Sequence, residues 1–191
     1  MLVQRDKKIL IFIEQFGSIS IYQCAKIFFS QANQSRDLAR KRLRKLYDMG
    51  LLKYYTNPLS NERMYCVDKK ISPHTTFLLD VYASFVESGA NILEFYKEPQ
   101  WLDGKYRSDG FFLVEYNGKK RICCVEVDVT HTTDLNKYQE IYDSNIFQDK
   151  FGIFPLIIIV GEEIYPNNID SFDIVFLDYK LNKFVEKVLA L

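Results

Sequence analysis

The chain has 191 residues, 48% of them apolar and 15% aromatic, enough to fill one large core or two small ones. No apolar run approaches the roughly 20 residues that span a bilayer, and the opening MLVQRDKK lacks the apolar stretch of a signal peptide. Net charge is zero, yet residues 1–70 hold fourteen Lys and Arg against six Asp and Glu, and residues 71–191 hold eleven against nineteen. That asymmetry predicts one basic and one acidic unit, the basic one suited to a polyanion such as nucleic acid. The cysteines (Cys24, Cys66, Cys123, Cys124) form no CxxC pair. This argues against zinc and predicts reduced thiols in a cytoplasmic protein with no membrane partner.

In the basic half, Ile9, Ile11, Phe12, Ile13 and Phe16 recur at helical spacing and stop at Gly17. Ser18–Ser20 reads as a turn, and residues 21–29 as a second helix. Ser35 is placed to cap a third helix that runs to about Met49 and stops at Gly50. Residues 51–55 and 63–67 read as two strands joined by a loop. Three helices followed by a hairpin in about seventy residues is the plan of a winged helix-turn-helix. In the third helix Ala39, Leu43, Leu46 and Tyr47 share one face. Gln34, Arg36, Arg40, Lys41, Arg44 and Lys45 supply a basic surface able to meet phosphates and guanine edges in a major groove. Lys53 and Arg63, on the hairpin, complete the expected contacts with double-stranded DNA.

In the acidic half, Ser72-Pro73 starts a helix that ends at Gly89. Residues 92–96 predict a strand. Two longer runs, 109–116 and 119–129, flank Asn117-Gly118, the strongest short signal for a two-residue hairpin turn. Tyr116 then faces Lys119, and counting outward sets Asp109 opposite Glu126 and Arg107 opposite Asp128. Both strands are apolar on both faces, which predicts a central position in the sheet. Thr132 or Thr133 is placed to cap a helix over 134–149. Residues 154–160 and 174–177 predict further strands, and 180–190 a terminal helix with Leu181, Phe184, Val185 and Val188 inward.

This order gives an α/β (α+β) fold with two domains. Residues 1–70 are expected to form the winged helix-turn-helix, and residues 71–191 resemble a restriction-endonuclease-like α/β/α sandwich with a mixed central sheet. In such folds an aspartate begins the second strand and a Glu-x-Lys lies on the third. Here Asp109 and Glu126-Val127-Asp128 stand there, with Glu94 a weaker addition. Asp109 and Glu126 are the candidate ligands for Mg²⁺ or Mn²⁺, which would polarise a phosphodiester and activate water. The lysine position is taken by Asp128, so Lys137, one turn into the next helix, is the candidate substitute. The alternative is structural, with Arg107 neutralising Asp128.

The chain also resembles the replication-relaxation family of plasmids and integrative elements. The resemblance is carried by the N-terminal helices and hairpin, His74 before Val81-Tyr82, Trp101, Arg107-Ser108-Asp109-Gly110-Phe111-Phe112, Glu126-Val127-Asp128 and Thr130–Thr133. A helix with Lys137 and Tyr142, then Pro155 before an aliphatic strand, completes it. Ser108 stands where that family usually has proline. The resemblance implies a mobile-element setting and DNA binding without establishing catalysis.

Absent motifs narrow the function. His74 and His131 are the only histidines, so the paired-histidine metal motif of rolling-circle relaxases is missing. No phosphate-binding glycine loop, HExxH or GxSxG is present. The expected function is an accessory or regulatory protein that binds double-stranded DNA in plasmid or mobile-element replication or transfer, with the nuclease-like domain as platform. The alternatives are a Mg²⁺- or Mn²⁺-dependent endonuclease using Asp109 and Glu126, and a docking module for replication or transfer proteins. Homodimerisation would suit paired half-sites.

Overall fold

A computed structural model describes residues 2–162, 164 and 169–190, and shows a mixed α+β protein. The chain divides into two compact units, Met1–Glu87 and Ser88–Leu191. The division falls later than the sequence-based boundary at residue 70, because the helix after Ser72 packs with the first unit.

The first unit holds α1 (Gln4–Phe16), β1 (Ser18–Ser20), α2 (Ile21–Phe29), α3 (Ser35–Asp48), β2 (Lys53–Thr56), β3 (Arg63–Cys66) and α4 (Pro73–Glu87). Gly17 ends α1 at φ +95°, its N–H donating to the Ile13 carbonyl at 2.7 Å. A Cβ there would lie 2.7 Å from Ile71, so a larger residue meets both strain and a clash. Residues 18–20 are not a turn. They pair antiparallel with β3, as the outer strand of a three-stranded sheet ordered β1-β3-β2. Ser20 both ends that strand and caps α2: its Oγ accepts from Gln23 N, and Gln23 Oε1 accepts from Ser20 N, each at 3.0 Å. Ser35 does not cap α3. The cap position is Gln34, without a side-chain bond, and Ser35 is the first helical residue.

The core of this unit is Ile9, Phe12, Ile13, Phe29, Ala39, Leu43, Leu46, Met64 and Tyr65 with the inner face of α4. Two polar links cross it. Asp6 is 1% exposed and receives Arg42 Nε at 3.2 Å, fastening α1 to α3. Gln23 donates to the Thr76 carbonyl (3.1 Å) and to Asp80 Oδ1 (2.8 Å), fastening α2 to α4.

Burial pushes the Asp80 carboxyl up to about 7, against the opposing pull of Gln23 and Lys26. The folded state therefore prefers Asp80 protonated. Its contribution to stability is complete below the usual carboxylate range and falls away as pH rises through 7. Asp80→Asn keeps an acceptor for Gln23 and removes that loss. Thermal melts should show the variant no more stable than the parent at pH 4 but more stable at pH 8, by on the order of 1–3 kcal/mol. Parallel melting curves across that range would contradict the assignment.

The second unit is built on a five-stranded mixed sheet ordered β10-β9-β8-β7-β4. Its strands are β4 (Asn91–Lys97), β7 (Gly110–Tyr116), β8 (Lys119–Val127), β9 (Leu156–Val160) and β10 (Ile174–Leu177). A small antiparallel pair, β5 (Gln100–Trp101) and β6 (Tyr106–Arg107), stands between β4 and β7. Strands β4, β7 and β8 are antiparallel, whereas β8, β9 and β10 run parallel. The turn is where the sequence places it. Tyr116 pairs with Lys119, and Asn117 and Gly118 take φ +50° and +75°, as a type I′ turn demands. Strands β7 and β8 are internal, with Phe111, Phe112, Cys124 and Val125 all buried.

Between β8 and β9 the chain forms two helices, α5 (Asn136–Asp143) and α6 (Ile146–Phe151), not one. The break is at Asn145, in the left-handed region at φ +59°. Neither Thr132 nor Thr133 caps α5; Asp134 Oδ1 accepts from Asn136 N there. Tyr138, Ile141 and Phe147 pack onto Phe111, Ile122, Cys124, Ile157 and Ile159 of the sheet. The expected terminal helix is a single π-helical turn, Val185–Leu189, because Leu181 and Lys183 adopt positive φ and stop an earlier start. Leu181, Phe184 and Val188 are buried as expected, but Val185 is exposed. All four cysteines are free and buried. No helix among the described residues is long and apolar enough to cross a membrane.

Candidate nucleic-acid interface and candidate active site

Helix α3 sorts its side chains as the 3.6 period requires. Ala39, Leu43 and Leu46 are fully buried, and Tyr47 is half-buried. Gln34, Arg36, Arg40, Lys41, Arg44 and Lys45 are exposed. Arg40 is paired with Asp37 at 3.0 Å and Arg44 with Asp48 at 2.9 Å, both at the surface. Exposed pairs of this kind contribute little and exchange readily for a phosphate. The β2–β3 hairpin lies beside the helix. Arg40, Lys41, Arg44 and Arg63 rim an open depression floored by Ile21 and Tyr65. Lys53 pairs with Asp68 at 3.2 Å and does not line it.

Beside the helix a row of three tyrosines runs from the buried Tyr65 through the half-buried Tyr47 to the exposed Tyr54, a feature the sequence analysis did not single out. Tyr47 and Tyr54 have ring centroids 5.2 Å apart, and Tyr54 and Tyr65 6.3 Å. The Arg63 guanidinium sits 4.3 Å from the Tyr54 ring and that of Arg44 5.3 Å from Tyr47. Stacking restricts both arginines. A signal existed: Tyr54 and Tyr65 are directly opposed in the β2–β3 register.

In the second unit, one face of the β7–β8 pair carries Asp109, Phe111, Ile122, Cys124 and Glu126. The ladder ends at Gly110 and Val125. Asp109 lies at a bend just before β7, and its Oδ2 accepts the Val127 N–H at 2.8 Å. Glu126 is 6% exposed and aims at α5. Its Oε1 receives Lys137 Nζ at 2.8 Å and the Tyr138 hydroxyl. Lys137 also donates to the Arg107 carbonyl at 3.1 Å, and Trp101 Nε1 to Ser108 Oγ at 3.0 Å. Burial pushes the Glu126 carboxyl up to about 7. Lys137 and Tyr138 pull it down, while the Asp109 charge adds to the rise.

Asp128 does not face Arg107 beside Asp109 and Glu126, where the hairpin count sets it. Strand β8 stops at Val127, and Asp128 turns to the following loop, where its carboxylate accepts Thr133 N (3.1 Å) and Thr133 Oγ1 (2.7 Å). Arg107 pairs with Gln100 across β5–β6, not with Asp128. Glu94 lies on the edge strand β4, where it bonds Tyr96. His131 is exposed on the loop that also carries Thr130 and Thr132. Among the described residues, no group of three or more His, Cys, Asp and Glu is arranged to hold a metal ion. What the fold does assemble is Asp109, Glu126 and Lys137.

No protein-family model, no curated protein and no solved structure matches the chain.

Proposed function

We propose that the chain is a double-stranded-DNA-binding protein whose first unit is a winged helix-turn-helix, with α3 as its reading helix and the β2–β3 loop as its wing. The observation that carries this reading is the exposed face of α3. Six polar and basic residues project from a helix whose other face is locked into the core, beside a hairpin that adds Arg63. The second unit then serves as a platform for accessory or regulatory work, in the plasmid or mobile-element setting that the sequence resemblance suggests. Partners from a replication or transfer complex, or a second copy of the chain, belong to the same proposal. Binding of duplex DNA measured against salt tests it: log affinity should fall linearly with log salt, by about 0.9 per phosphate neutralised. A salt-independent or undetectable interaction would refute it.

One observation favours a second reading, a metal-dependent nuclease. Lys137 reaches Glu126 from α5 and so supplies the cation that position 128 lacks. Asp109 and Glu126 are two carboxylates on neighbouring strands, the pair that would hold Mg²⁺ or Mn²⁺; the ion would activate water and polarise the phosphodiester. The donor set fits only in part, since Glu126 already receives two hydrogen bonds. With Mn²⁺ present, cleavage of supercoiled plasmid is expected on this reading, and it should vanish in Asp109→Ala and Lys137→Ala. Intact plasmid with either metal, or cleavage that survives in both variants, removes the reading.

A further inference from the structure

Helix α3 is flanked by a second depression, on the side away from the hairpin. Arg5, Phe29, Leu38, Lys41, Arg42 and Lys45 line it. Leu38 and Phe29 form an apolar floor, and cations from two helices form the rim. Arg42 is committed to Asp6. Among the described residues, Arg5, Lys41 and Lys45 have no ion-pair partner. The Arg5 guanidinium is held 4.5 Å from the Phe29 ring centroid, so α1 presents a pre-positioned cation to this groove.

The placement around the helix is informative. At about 100° per residue, Arg40 and Lys45 stand about 140° apart around the α3 axis, with Lys41 between them. Lys41 lines both depressions. One flank thus offers Arg40, Arg44 and Arg63, and the other Arg5 and Lys45. A helix with side chains is about 10–12 Å across, and the major groove is about 12 Å wide, with a phosphate backbone on each wall.

We propose that α3 is gripped from both walls of the major groove, with the phosphodiester backbone of one strand on the Arg40–Arg44–Arg63 flank and that of the other strand in the Arg5–Lys45 groove. This rests on the duplex-DNA reading above and deepens it, adding α1 to the interface. The partner it commits to is a duplex, since a single strand supplies only one of the two backbones.

The test is fluorescence anisotropy of the full chain on a labelled duplex of arbitrary sequence and on one of its single strands, across a salt series. Arg5→Gln/Lys45→Gln should weaken duplex binding by about tenfold and reduce the salt slope by about two, the loss expected for two phosphate contacts. Single-strand affinity should change far less. Arg5→Lys/Lys45→Arg, which keeps both charges, should restore the parental slope. If Arg40→Ala/Arg44→Ala loses duplex binding while the glutamine variant keeps the parental slope, the second grip is wrong and the DNA reading stands. A parent chain that binds no duplex overturns both.

Discussion

Replacing Arg40 and Arg44 together by alanine is expected to lower affinity for duplex DNA by about 100-fold at moderate salt, with an unchanged melting temperature. The size follows from two lost contacts at roughly 1–3 kcal/mol each. The fold should survive because both side chains lie more than half exposed and their partners, Asp37 and Asp48, are exposed too. Alanine also raises intrinsic helix propensity slightly, which offsets the loss of two surface pairs. A band-shift titration beside a thermal melt reads both quantities. An affinity within twofold of the parent would take α3 out of the interface.

Lys137→Ala has the largest expected effect on stability, and its size should depend on pH. Lys137 and Glu126 have side chains 16% and 8% exposed and meet at 2.8 Å. Removing the lysine leaves a buried carboxylate with Tyr138 and a neighbouring Asp109 charge. At pH 8 the loss should be about 3–5 kcal/mol, the cost of breaking a buried pair on one side. The sign with pH follows from burial. The Glu126 carboxyl, already pushed up to about 7, rises further once the cation is gone. At pH 5 it is protonated in the folded state, and the cost should fall to about 1 kcal/mol. Chemical denaturation at the two pH values measures the difference. Glu126→Gln/Lys137→Ala should remove the pH dependence, since no charge is left to bury. Equal costs at pH 5 and pH 8 would show that the pair does not hold Glu126 ionised.

The readable and unreadable parts of this chain differ in physical origin. Asn117-Gly118 fixes a register because a two-residue turn leaves one pairing open, and the β7–β8 ladder follows it to Gly110 and Val125. The helical periods of residues 4–16 and 35–48 are long enough for their buried faces to be counted directly. The ends of the ladder were not legible. Arg107 and Asp128 lie beyond it: Arg107 falls opposite Gln100 in the small β5–β6 hairpin, and Asp128 is bonded locally by Thr133. Ser18–Ser20 is too short to announce a strand, and only its partner β3 makes it one. The Ser20/Gln23 reciprocal cap, by contrast, was available from the S-x-x-Q spacing. The break between α5 and α6 rests on one left-handed asparagine that no period marks. Lys137 was within reach of the site by helical spacing alone, but which carboxylate it would meet depended on the end of β8.

These placements separate two sites by chemistry. On α3, Arg40 and Arg44 are exposed and weakly paired. At the contact of β8 with α5, the buried Glu126 is paired within the chain with the mostly buried Lys137. Glu126 and Lys137 are thus held together within the chain beside Asp109, whereas Arg40 and Arg44 have only weak surface partners. The difference sets what a ligand must do in each place. On the proposed reading, a duplex would have to displace Asp37 and Asp48 from two arginines. A divalent ion must compete with Lys137 and Tyr138 for Glu126.

Backbone amide hydrogen exchange of the full chain, with and without a saturating DNA duplex, tests the central claim most directly. Slower exchange is expected within Ser35–Asp48 and across the β2–β3 loop, residues 57–62, with little change between Gly110 and Val160. Protection confined to residues 88–190, or none at Ser35–Asp48, would contradict the assignment of α3 as the DNA-reading helix.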